Sequence, residues 1–552
     1  MVGDIKPREP FDAIVVGSGI NGGIAAKQLC EAGLRTLILE AGPRTRSSKC
    51  YGSPATNFVR RLYTHLTRRQ HIQERHPIYW QTNPRLFVDD RRHAYSTPPD
   101  KPFRWVRGRQ MGGRSHMWGG VMLRLSDYEF KAASRDGIGE DWPISHADLD
   151  PYYRMLETFF CTHGERDGLA QLPDGAFSAA SAMSPGECVF KHVVEGRFPD
   201  RRVIISRGLR AKREPALGER FSQRTSIETS LAAAIATGKL TIQPHANVTR
   251  VLVSAGARKA KGVQYIDCAT GERNEVDARV VFLCASTIES VRILMNSRTR
   301  ERPEGLGASS GVLGKYLMDH MSGMIYFYLP QVRGDAYNLT GSDSILIPRF
   351  QNLSDERSPH LRGFGYWGGV QRLDFAPILR KKGDAALGFL VPMCEMLPNA
   401  ENCVLLDDTN HDEWGEPLPF ISCAWGPNEV KLAQAARAAG EDMIAAAGGL
   451  VLPLTELVRT PFITGIMKKM QGEWLTSTPG LAVHEVGGAR MGTNPKTSVV
   501  NQFCQVWEAR NVFVTDGACW VSSGWQTPTL TEMAITARAC ANAVEQLRRG
   551  DL

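Results

Sequence analysis

The chain has 552 residues, 42% of them apolar, 8% aromatic and 22% charged, which excludes a largely disordered protein. At roughly 100–200 residues per domain it has room for two or more domains around sizeable cores. A formal charge of +8, from 66 basic and 58 acidic side chains, is modest for this length. It describes a mildly basic surface, with attraction to an acidic partner protein or an anionic cofactor as the sharper alternative. Twelve scattered cysteines form no CxxC pair or metal-type cluster, and read as buried free thiols of a reducing compartment. The first ten residues lack the charged and apolar regions of an export signal, and no apolar run reaches the ~18 residues that span a bilayer. The expected location is the cytoplasm by default, or the periplasm if the chain is exported with a signal-bearing partner.

In chain order, residues 11–42 read strand, glycine turn, helix, strand. Residues 44–100 are polar, Arg-rich and irregular, with one helix expected near "NFVRRLYTHLTRRQHIQERHP". Its arginines (Arg60, Arg61, Arg68, Arg69 and Arg75) alternate with apolar residues at helical spacing, the pattern of a solvated amphipathic helix, and no nucleic-acid module surrounds it. A glycine-rich loop spans 104–120. A turn and helix follow at 141–160, with Asp148 near the start and Pro151 in the first turn. Residues 161–205 are mixed. Residues 225–295 return to α/β character and end in a buried strand and the helix "TIESVRILMNS". From about 323 to 425 short apolar strands alternate with polar links, the signature of an antiparallel sheet. A helix at 427–447, a strand "NVFVTDGA" and a last helix "TLTEMAITARACANAVEQLRR" complete the chain.

The segment "DAIVVGSGINGGIAAKQLCEAGLRTLILEAG" holds Gly17-x-Gly19-x-x-Gly22 in full context: a buried strand before it, a helix after it, and a second strand ending at Glu40, eighteen positions past Gly22. Gly17 permits the tight turn, Gly19 lets the backbone approach a pyrophosphate, and Gly22 lets helix and strand pack closely. The helix N-terminus then faces the phosphates and Glu40 can bond a ribose hydroxyl. This site alone does not separate NAD from FAD.

Further stretches resemble the glucose–methanol–choline (GMC) flavoprotein oxidoreductases along nearly the whole chain. "LEAGPR" is similar to the FAD-binding half of large flavoproteins. "GRQMGGRSHMWGG" is similar to the flavin loop, which implies that Gly112, Gly113, Ser115, His116, Met117, Trp118 and Gly119 lie near the isoalloxazine. "VVFLCASTIESVRILMNS" with "GLGASSGVLGKYLMDH" resembles the second family signature and includes Ala285. The resemblance places Asp516 and Gly517 on the ribityl and pyrophosphate, Val248 at the adenine, and Thr527, Pro528 and Thr529 at the flavin end. Within the family the likeness is nearest to pyranose oxidases and bacterial glucoside 3-dehydrogenases and glycoside 3-oxidases. Some pyranose oxidases attach FAD through a histidine one residue before the loop tryptophan. Here that residue is Met117, so non-covalent FAD is expected. Related dehydrogenases carry an iron–sulfur cluster on cysteines before the helix near 230. Residues 208–226 have no cysteine, so no cluster is expected.

The resemblance implies a composite α/β fold: a Rossmann-like FAD domain and a substrate domain built on an antiparallel sheet backed by helices. The expected division is 1–150, 206–322 and 475–552 for the FAD domain, the last part catalytic, with 44–100 as an insertion. Residues 151–205 belong to the substrate domain or connect, and 323–474 bind substrate. His484, in "LAVHEVGGARMG", matches the family's general base, since alcohol oxidation by FAD removes a hydroxyl proton and passes a hydride to the flavin. The family's second group, asparagine or histidine, falls 43 positions later on Thr527. Thr527 or its neighbour Gln526 is therefore expected to orient the substrate hydroxyl, the alternative being a mainly structural stretch. Trp367 and Glu395 lie on expected sheet strands. The implied reaction is oxidation of a sugar or glycoside secondary hydroxyl, at C3 of a pyranoside, to a keto-sugar. Alternatives are a non-sugar alcohol and non-redox lyase chemistry. Oxygen, a quinone or a cytochrome can take the electrons, and some relatives use a small accessory subunit.

Overall fold

The computed structural model describes residues 11–45, 53–76, 80, 83–209, 212–214, 220–222, 225–254, 256–334, 344–354, 358–373, 379–459 and 478–552. Among these, no helix is long and apolar enough to cross a membrane.

Two sheets organise the chain. The first has a parallel core in the order Ala509–Val514, Arg273–Leu283, Phe11–Val16, Thr36–Leu39 and Leu240–Gln243. The antiparallel strands Ala246–Val253 and Ala260–Asp267 extend it beside Arg273–Leu283. Its central strands are uninterrupted apolar runs because both faces of the sheet are buried. Ala13, Ile14 and Val15 are fully buried. The helices Ile20–Glu31 and Thr529–Arg549, from opposite ends of the chain, pack on each other.

The second sheet is antiparallel through its central strands, in the order Leu450–Val451, Ile325–Arg333, Ala385–Cys394, Phe364–Val370, Ile345–Ile347 and Ile204–Ile205. The helices Pro185–Arg197 and Pro427–Ala446 back it, and Phe190, Phe327, Tyr366 and Leu432 fill the core between. This is the mixed α/β architecture expected.

Three local readings change. The strands Cys403–His411 and Pro417–Ser422 form a separate two-stranded hairpin, with single bridges to Ser96 and Lys315, so part of 323–425 lies outside the sheet. The helix expected after residue 141 runs His146–Phe160. Ser145 caps it reciprocally with Asp148, which starts the helix early enough to put Pro151 beyond the first turn. The Arg-rich helix is present as Pro54–Leu66, but its polar Asn57 and Thr64 are buried while Phe58, Leu62 and Leu66 face solvent.

Candidate active site

A cavity of about 380 Å³ opens at the carboxyl ends of the parallel strands, the usual ligand position on such a sheet. Its floor is the glycine turn. Gly17 has φ +92°, and a Cβ on Gly22 would stand 2.0 Å from the Gly17 carbonyl oxygen, so a side chain there would separate helix from strand. Gly19 precedes the helix Ile20–Glu31 with no side-chain cap, leaving its first N–H groups toward the cavity.

Glu40 lines the cavity and also braces the turn: its carboxylate accepts from the Ser18 N–H at 3.0 Å and the Gly42 N–H at 2.7 Å. Asp516 caps the turn Gly517–Cys519 by accepting from the Ala518 N–H at 3.1 Å. Burial pushes its carboxyl up to about 6. Val248, Ala285, Gly517, Pro528 and Thr529 share the lining.

The loop across this floor departs from expectation at two residues. Gly113, Ser115, Met117, Trp118 and Gly119 line the cavity, whereas Gly112 and His116 lie behind it. Gly112 donates its N–H to Ser18 Oγ at 2.9 Å and is left-handed, φ +86°. His116 is buried with Nε2 2.9 Å from the Met111 carbonyl. Arg114 joins three segments, donating to Glu485 at 2.7 Å, to the Val483 carbonyl at 3.2 Å and to Ser286 Oγ at 3.0 Å.

FAD fits the residues present. The helix N-terminus is uncapped, carboxylates stand at two strand ends, and several buried polar atoms have no protein partner among the described residues: Asn21 Oδ1, Arg109 Nη2 and Glu485 Oε1. Buried polar groups require partners, so a polar ligand accounts for these. No group of three His, Cys, Asp or Glu among the described residues is arranged to hold a metal.

His484 lines the far end of the cavity, and His320 stands beside it with the two Nδ1 atoms 2.8 Å apart. The other His320 nitrogen, Nε2, meets the Gly524 carbonyl. A carbonyl only accepts, so His320 Nε2 carries the proton and its Nδ1 is an acceptor. His484 Nδ1 must then donate, which makes Nε2 of His484 the basic nitrogen. Burial holds His320 down to about 4. Burial, with His320 and Arg114 nearby, holds His484 well below the ordinary imidazole range. Both rings are therefore neutral at neutral pH. Asp319 accepts the His484 N–H at 3.1 Å and the Gly480 N–H at 2.8 Å, anchoring the segment that presents the ring.

The two residues expected to orient substrate separate here. Thr527 lines the cavity and donates its hydroxyl to the Val121 carbonyl at 3.2 Å. Gln526 lies outside the lining, fully buried, and donates to Glu129 at 3.1 Å. Trp367 reaches the cavity with Nε1 bonded to Ser344 Oγ at 2.7 Å. Glu395 is sealed beneath, paired with Arg349 at 2.9 Å. Sequence reasoning missed His320, although it closes the quoted "GKYLMDH" stretch, because its contact with His484 spans 164 positions.

Comparison with known proteins agrees with this geometry. Two GMC oxidoreductase models match the chain, one over residues 210–322 and one over 398–536. A 2-methyl-1,2-propanediol dehydrogenase of Mycolicibacterium austroafricanum is 26% identical, covering 96% of this chain and 94% of its own. A C-glycoside 3-oxidase of Arthrobacter globiformis is 26% identical over 54% of this chain and 52% of its own. The crystal structure of pyridoxine 4-oxidase from Mesorbium loti shares the fold, with a TM-score of 0.62 at 18% identity over 98% of this chain and 99% of that one. With the family's two models matched over residues 210–322 and 398–536, and a cavity whose lining fits FAD, the chain carries the domains of the GMC oxidoreductase family.

Proposed function

We propose that the protein oxidises a secondary hydroxyl of a sugar or glycoside, at C3 of a pyranoside, to a ketone. The observation that carries this reading is the His320–His484 pair, which leaves a neutral imidazole with its Nε2 unprotonated in the cavity. His484 Nε2 accepts the substrate hydroxyl proton, and its Nδ1–H stays bonded to His320 throughout. FAD, held by the glycine turn, Glu40 and Asp516, supplies the acceptor for the carbinol hydride. Thr527 can accept a hydrogen bond from a neighbouring substrate hydroxyl, since its own proton is engaged by Val121. The glycoside assignment rests on the C-glycoside 3-oxidase relative. Non-covalent FAD is part of the proposal: Met117 faces the cavity and the nearby His116 is turned to Met111. So is the absence of an iron–sulfur cluster, for want of cysteine in 208–226.

One observation favours a second reading. The sheet side of the cavity presents Met324, Leu346, Trp367, Val391 and Met393, with Ser322 as the polar exception among the described residues. That wall suits an apolar-faced alcohol better than a bare monosaccharide, whose hydroxyls would lose water without gaining partners. Anaerobic mixing of the FAD-loaded enzyme with a methyl glucoside, and separately with simple alcohols, decides. Bleaching of the visible flavin band by the glycoside, with a 3-keto product by NMR, is the expected result. Bleaching only by non-sugar alcohols supports the second reading. No bleaching by any alcohol overturns both and leaves lyase chemistry.

A further inference from the structure

The helix Pro54–Leu66 is amphipathic with its faces reversed. Asn57 and Thr64 point inward, 0% and 5% exposed, and the Thr64 hydroxyl is satisfied by the Arg60 and Arg61 carbonyls at 3.0 and 3.1 Å. Outward stand Phe58, Val59, Leu62, Tyr63 and Leu66, between 50% and 72% exposed. Positions i, i+1, i+4, i+5 and i+8 form one continuous stripe along the helix. Burying large apolar side chains is favourable, so a contiguous apolar stripe left in water marks a surface that something covers.

Charge indicates what covers it. From Ala41 to Gln73 the chain has no acidic residue. Arg60, Arg68 and Arg85 are exposed around the stripe and have no carboxylate partner among the described residues. At the edge of the patch Asp89 lies 3.6 Å from Arg69 and Glu74 2.9 Å from His65. A convex apolar helix face flanked by unpaired arginines, with a tyrosine in the stripe, has the composition of a helix lying in the headgroup region of an anionic bilayer. A groove-shaped protein site would instead be concave.

The helix is also tied to the cofactor cavity. It is followed by Gln70, which donates to the Pro84 and Phe87 carbonyls at 2.9 and 2.8 Å. Gln73 in turn donates to the Trp105 carbonyl at 3.0 Å, and Phe87, Val88 and Trp105 line the cavity. We propose that the helix Pro54–Leu66 docks on an anionic lipid surface, laying Phe58, Leu62 and Leu66 into the headgroup boundary and holding the cofactor cavity beside the bilayer.

The test is co-sedimentation of the full-length, FAD-loaded protein with vesicles of phosphatidylcholine alone and of phosphatidylcholine mixed with phosphatidylglycerol. The expected result is binding to the mixed vesicles that weakens with added salt. The double variant Leu62→Glu, Leu66→Glu should weaken it by at least ~10-fold, and Arg60→Ala with Arg68→Ala should remove its preference for the anionic lipid. All four positions are on the surface, so flavin content and activity in solution should be kept. No binding to mixed vesicles at low salt, or equal binding by the Leu62→Glu, Leu66→Glu variant, overturns the proposal. So does a dimer or a complex with an accessory protein that these glutamates dissolve in the absence of vesicle binding.

Discussion

Two imidazoles with their Nδ1 atoms 2.8 Å apart must place one proton between them, and the Gly524 carbonyl decides which ring supplies it. In this account His320 is a positioning residue: it selects the tautomer of His484 and opposes its protonation. The base must be neutral to act, so a lowered His484 pKa extends activity toward acid. Flavin reduction should stay level as pH falls through about 6.5, the ordinary imidazole value, and decline only below it. His320→Leu removes both influences, so its reduction rate should fall and its acid limb should move up toward 6.5. An unmoved limb, measured by stopped flow across pH, would leave His320 a merely structural role. Thr527 and Gln526 make a second comparison at this scale. Thr527→Ala should lower the rate at saturating substrate by several-fold. Gln526→Ala should act through stability instead, lowering Tm because Glu129 loses a buried partner. The reverse pattern would move the substrate contact to Gln526.

At the scale of elements, the segment from Ser522 to Thr527 is held from below by a buried ionic cluster. Arg349 stands 2.9 Å from Glu395 and 3.8 Å from Glu129, and Glu129 receives Gln526. Burial raises both carboxyls, with Arg349 opposing the shift. A carboxyl whose folded pKa is raised keeps a proton that the unfolded chain releases. Its effect on stability is therefore absent below the unfolded value near ~4.3, and stability falls as pH rises toward the folded value. Glu395→Gln removes that dependence while Glu129 continues to face Arg349. The Tm of this variant relative to the parent should rise between about pH 5 and about pH 8. A difference that does not change with pH would mean that Glu395 is ionised throughout.

These elements differ in how plainly they can be read. The turn at Gly17, Gly19 and Gly22 is legible because strand, turn and helix are contiguous and each glycine answers a local steric demand. Helix and strand periodicity also sufficed for Thr287–Asn296, Pro427–Ala446 and Thr529–Arg549. Periodicity failed at Pro54–Leu66, where it finds the helix but not which face turns inward. It also could not show that Cys403–His411 leaves the main antiparallel sheet, because alternation does not name a strand's partner.

At the scale of the molecule, the site is assembled from distant segments. Asn21 bonds Glu532 across 511 positions and Thr527 bonds Val121 across 406. The family pattern in the sequence pointed to His484 and Thr527 by spacing, and the fold puts both on one cavity. It could not reveal His320 or Arg114 as their supports, since those roles come from contacts that only the folded chain makes. The two sheets meet at this cavity, the antiparallel one lining it with Leu346, Trp367, Val391 and Met393 and the parallel one with Val16 and Leu39.

The role of His484 as general base is tested most directly by the rate of flavin reduction by substrate in His484→Ala, measured anaerobically by stopped flow on protein loaded with FAD. It predicts that the variant binds FAD as the parent does and loses at least the ~10²–10⁴-fold that a general base contributes. A variant that reduces its flavin at nearly the parent's rate would contradict it.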